Sequence, residues 1–128
     1  MSVPVTALYA AVLAILVTAF AINVTATRMK LRISLGDGGN SLMSRAMRIH
    51  GNAIEYIPVA LLLMIAYELN GGSRVVLHIA GIALVASRSL HAFALWRSDE
   101  PTLSRGAGQM LTWLTIATLA ILNILKIM

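Results

Sequence analysis

The chain has 128 residues, 59% of them hydrophobic and 12% charged, against about 45–50% and about 25% in a soluble domain. With a mean hydropathy of +0.83 it is too apolar for a disordered segment and has too little polar surface for a soluble globule, which leaves an integral membrane protein. The net charge of +5 comes largely from Arg28, Lys30, Arg32, Arg45 and Arg48 beside one apolar run, a placement that fits a cytoplasmic anchor or anion-binding surface rather than nucleic acid.

A helix needs about 20 apolar residues to cross the ~30 Å hydrocarbon core. Residues 5–27 carry no charge. They lack a basic n-region and exceed the h-region of a signal peptide, so a retained first helix is expected. Gly36, Asp37, Gly38, Gly39 and Asn40 then break the helix, with Ser41 or Ser44 expected to cap the next one. Residues 49–67 form the second span, with Glu55 inside it and Pro58 permitting a bend. Residues 75–96, containing Arg88, form the third, and residues 106–125 the fourth. Residues 97–101, which include Asp99, connect the last two. The expectation is one all-α, four-helix membrane domain over residues 1–128. Basic residues gather on the first and third connections, which places these in the cytoplasm and both termini outside.

Ionisable residues within or beside the spans carry the functional signal, because an isolated charge at a helix centre costs about 2.5–3.5 kcal/mol on insertion scales. Arg48, Asn52 and Glu55 share one face of the second helix, and Arg45 extends it by a turn. Arg88 and His91 share a face of the third. Arg105 and Gln109 are one turn apart on the fourth, and Arg28 and Arg32 one turn apart at the end of the first. All lie on the cytoplasmic half, where cations outnumber Glu55 and leave a surplus that suits an anion. Arginine forks bind carboxylates well.

Other readings of these residues stay open. Arg48–Glu55 or Glu55–Arg88 would serve as structural ion pairs, with Arg45, Arg97 and Arg105 reaching lipid phosphates. Glu55 alone would serve as a proton or cation carrier. His78 reads as packing or hydrogen bonding, and no histidine pair has metal-ligand spacing, so no metal is expected. The absence of cysteine excludes thiolate metal sites and a cysteine nucleophile. The glycine run lacks the Lys-Ser/Thr of a phosphate loop. Gly81, Gly106 and Gly108 read as close helix contacts.

With those residues in hand, Arg48-Ile49-His50-Gly51-Asn52-Ala53-Ile54-Glu55-Tyr56-Ile57-Pro58 resembles the signature Arg-x-x-x-Asn-x-x-Glu-[Tyr/Asn]-x-Pro of the MAPEG family, the membrane-associated proteins of eicosanoid and glutathione metabolism. The resemblance runs over the whole chain. It implies a homotrimer that binds glutathione, as co-substrate, between neighbouring subunits near the cytosolic face. It also implies an apolar electrophilic or lipid-like substrate drawn from the membrane. Carried over, Arg48, Asn52, Glu55, Tyr56, Arg28, Arg88 and His91 would bind glutathione, with Arg45 a further candidate. Arg105 would be catalytic, holding the sulfur as thiolate. The implied activity is a membrane glutathione transferase, with possible peroxidase activity. Where eicosanoid members have tyrosines on helices 3 and 4, this chain has His91, Leu95 and Gln109, which argues against specialised leukotriene or prostaglandin chemistry. The alternatives are a non-catalytic glutathione- or lipid-binding scaffold of the same fold and a small four-helix multidrug transporter. Such transporters carry their key glutamate in helix 1, whereas residues 5–27 contain no acid.

Overall fold

The computed structural model describes residues 2–98 and 100–128, so Asp99 of the third connection lies outside the described residues. It contains four helices: α1 (Pro4–Leu31), α2 (Ser41–Leu69), α3 (Arg74–Arg97) and α4 (Leu103–Ile127). Each is long and apolar enough to cross a membrane. At 28 residues α1 is about 42 Å long at 1.5 Å per residue, so it reaches past the hydrocarbon core. All four helices outrun the expected spans at both ends, because hydropathy marks the apolar stretch while backbone hydrogen bonding continues through the polar turns beyond it.

The caps explain these boundaries. Asn40 accepts from the amides of Leu42 and Met43 and starts α2, so Ser41 and Ser44 lie inside the helix rather than capping it. Thr102 accepts from the Arg105 amide at 3.3 Å and starts α4. No side chain of its own caps α1. Instead Glu68, near the end of α2, accepts from the amides of Val5 at 3.0 Å and Thr6 at 2.8 Å. A carboxylate there satisfies orphan donors and meets the positive end of the helix dipole. The first connection turns at Gly36 and Gly38, whose φ values of 67° and 59° favour glycine. Within α2 the helix runs unbroken through Pro58.

The helices α2 and α3 each pack against all the others, and α1 and α4 flank them on separate sides. The core is apolar, centred on Leu13, Ala53, Ile57, Ala60, Met64, Leu77, Leu84 and Leu119. Two glycines set helix distances. A Cβ at Gly81 would overlap the Tyr9 ring, and one at Gly108 would stand 2.9 Å from the Ser87 carbonyl oxygen. A Cβ at Gly106 would meet nothing within 4 Å among the described residues, so the expected contact is not made there within this chain's described residues. The Tyr9 hydroxyl lies 2.9 Å from His78 Nδ1, which gives His78 the hydrogen-bonding role expected of it.

Candidate functional site

The Gly108 crossing brings α4 against α3, and α2 closes the third side of a cavity of about 300 Å³. Arg48, Asn52 and Tyr56 line it from α2, His91 from α3, and Arg105, Gln109 and Trp113 from α4. Spacings of four residues put the α2 trio on one face within about 80°. The guanidinium groups of Arg48 and Arg105 have no hydrogen-bond partner among the described residues. Among the described residues the lining contains no carboxylate.

Arg88 lies behind this cavity and is 2% exposed. Its Nη2 donates to the Gly108 carbonyl at 3.3 Å and to Gln109 Oε1 at 3.2 Å. The guanidinium sits 5.4 Å from the centroid of the Tyr56 ring, a cation–π contact. Among the described residues its Nε and Nη1 are buried without partners, as is Gln109 Nε2. The Arg88–Glu55 ion pair is therefore not formed.

His91 Nδ1 is 3.2 Å from the Arg105 carbonyl oxygen. A carbonyl only accepts, so this contact puts a proton on Nδ1. In the neutral ring that leaves Nε2 an acceptor, buried and without a partner. Asn52 is buried and donates from Nδ2 to the Arg48 carbonyl at 2.9 Å, which fixes the amide and leaves Oδ1 as its free acceptor.

Not all the expected site residues meet here. Arg48, Asn52, Tyr56, His91 and Arg105 do, with Arg88 behind them. Glu55 is exposed on α2 and outside the lining. Arg28 is turned to the first connection, donating to the Gly36 carbonyl at 2.9 Å and reaching Met47 Sδ at 3.5 Å. Arg45 donates to the Trp96 carbonyl at 3.1 Å, tying α2 to the end of α3. Leu95 packs with Ile49 and Ala92 rather than lining the cavity, while Gln109 reaches it.

Sequence reasoning missed the Thr112 hydroxyl, whose single proton is shared between Ser87 Oγ at 2.9 Å and the Gly108 carbonyl oxygen at 3.1 Å. It also missed Trp113 in the wall. A Thr four residues after Gly108 is the one sequence signal for the first, since it places a hydroxyl on the glycine face of α4.

A sequence model of the MAPEG family matches residues 6–125. The chain belongs to the MAPEG family. It is similar to the inner membrane protein YecN of Escherichia coli strain K12, 39% identical over 120 residues that cover 94% of this chain and 90% of the relative. The protein of the same name from Escherichia coli O6:H1 strain CFT073 matches with the same figures. This MAPEG protein is thus an integral, multi-pass membrane protein, and its cationic cavity is assembled from α2, α3 and α4.

Proposed function

We propose that this MAPEG protein is a membrane glutathione transferase, with glutathione peroxidase activity as a second capacity. The observation that carries the reading is a cavity where, among the described residues, two arginines lack hydrogen-bond partners and the lining holds no carboxylate, with a third arginine buried behind it. That arrangement suits a small peptide with two carboxylates and a thiol. Arg48, Asn52, Tyr56 and His91 would position glutathione, with Arg88 as a positioning residue behind them. Arg105 would stabilise the thiolate, since a nearby cation in a partly desolvated site lowers a thiol pKa from about 8.5. The thiolate would then attack an apolar electrophile supplied by the bilayer.

The proposed assembly is a homotrimer, with the cavity toward the cytosol and both termini outside. Glu55 supports a neighbour, because an exposed carboxylate inside a span needs a cover. If Arg28 and Glu55 contact glutathione, they do so from the edge of the site or from the adjacent subunit. The second reading, a non-catalytic binder, draws support from Leu95. That side chain is packed in the core and offers the cavity no hydroxyl.

The test is conjugation of glutathione to a generic aryl halide by detergent-purified protein, with Arg105→Ala beside it. Turnover that falls at least about tenfold in the variant, about 1.4 kcal/mol of transition-state stabilisation, supports the assignment. Unchanged turnover at saturating glutathione removes the thiolate role from Arg105. Binding without turnover of any electrophile favours the scaffold.

A further inference from the structure

A second opening lies on the far side of α3 from the cationic cavity. Ser89 and Phe93 are each two residues from His91, about 200° around the helix. With Trp96 they form one wall of a groove of about 280 Å³. Phe20 of α1 and Ile49 of α2 are also in its lining. From Trp96 to Ser89 is seven residues, so the groove runs roughly 10 Å along the helix at 1.5 Å per residue. Trp96 and Arg97 stand at the end of α3, at the level where aromatic and basic side chains meet the headgroups. The groove therefore leads from the interface into the hydrocarbon.

Its chemistry is that of an amphiphile site. The walls are aromatic and aliphatic. Asn23, in the lining, has a side-chain amide with no hydrogen-bond partner among the described residues. At the mouth the exposed Arg97 guanidinium lies 5.3 Å from the Phe93 ring centroid. That contact fixes a cation beside an apolar slot whose lining holds no acid among the described residues. A single hydrocarbon chain fits along such a slot, with the Arg97 cation at its mouth to meet an anionic headgroup.

We infer that this groove holds one acyl chain of an anionic phospholipid, with the phosphate on Arg97 and an ester oxygen on Asn23. The site is separate from the cationic cavity, and the inference does not depend on the proposed enzymatic activity.

Trp113→Phe leaves Trp96 as the sole tryptophan, since the chain has two. That full-length protein is reconstituted in phosphatidylcholine vesicles containing equal fractions of either dibrominated phosphatidylglycerol or dibrominated phosphatidylcholine. Quenching of Trp96 fluorescence reports contact with the brominated chain. The expected result is an apparent affinity about fivefold higher for the anionic lipid, the factor one surface arginine contributes. Arg97→Gln should abolish this preference, and Ser89→Phe, which fills the slot from an exposed position, should lower anionic quenching to the phosphatidylcholine level. Circular dichroism and elution volume confirm folding of each variant, with Ser89→Leu as a second filler if Phe is not tolerated. Equal quenching by both lipids overturns the inference, as does a preference that survives either substitution. No quenching by either lipid overturns it too, and assigns the groove to a protein cover.

Discussion

Replacing Arg88 with Met separates what this residue does for the fold from what it does for the cavity. Two hydrogen bonds from a charged donor, at 3.3 and 3.2 Å, are worth about 1.5–3 kcal/mol each. The stacking on Tyr56 adds about 0.5–2 kcal/mol. Against this, Nε and Nη1 are buried without partners, each costing about 1–3 kcal/mol, and the charge carries its own desolvation penalty. Methionine has a similar reach and fills irregular space. The opposing terms nearly cancel, so Arg88→Met should change stability without ligand by no more than about 2 kcal/mol in either direction.

Ligand binding should respond differently, because the variant removes the cation behind the cavity and the group that fixes Gln109 and Tyr56. At glutathione a hundredfold above its Kd, the unaltered protein gains about 2.7 kcal/mol. A hundredfold loss of affinity leaves about 0.4 kcal/mol of that gain at the same concentration. Thermal unfolding in detergent, with and without glutathione, reads both quantities. A loss above about 4 kcal/mol without ligand, together with an unchanged glutathione shift, would refute the reasoning and make Arg88 a structural strut.

Gly108→Ala forces a methyl to 2.9 Å from the Ser87 carbonyl oxygen. It should cost about 1–3 kcal/mol in thermal unfolding and weaken glutathione binding by calorimetry, because the same residue anchors Arg88. Glu68→Ala removes the acceptor for the first amides of α1 and should cost about 0.5–2 kcal/mol, with hydrogen exchange rising at the start of α1 before anywhere else. Asn40→Ala should cost a similar amount as an N-cap, about 0.5–2 kcal/mol. Ser41→Ala and Ser44→Ala should stay within about 0.5 kcal/mol, and a larger loss at either serine than at Asn40 would contradict the capping pattern. Tyr9→Phe deletes the bond to His78 and should cost about 0.5–1.5 kcal/mol, detectable as a lowered unfolding midpoint.

The four spans were legible because a bilayer demands long apolar runs: residues 5–27 and 106–125 carry no charge, and residues 49–67 and 75–96 carry one each, Glu55 and Arg88. The cavity face was legible in part. Arg48, Asn52 and Tyr56 advance by about 40° per four residues, and the cavity takes that side of α2. Glu55 falls about 20° the other way from Arg48, which is enough to place it at the exposed edge. Helical periodicity groups these four residues but does not say which edge of the group faces inward. That is set by where α3 and α4 stand, and their position is set by Gly108 and not by Gly106, a distinction of register between two identical residues. The same limit hid the Glu68 cap, a contact between residues 63 positions apart. Arg28 shows a further limit. As a basic residue at a span end it read like Arg48, yet its guanidinium is held by the Gly36 carbonyl. Charge near a membrane surface identifies candidates for anion binding. Backbone acceptors in the connections then compete for the same arginines, and only the folded chain decides between them.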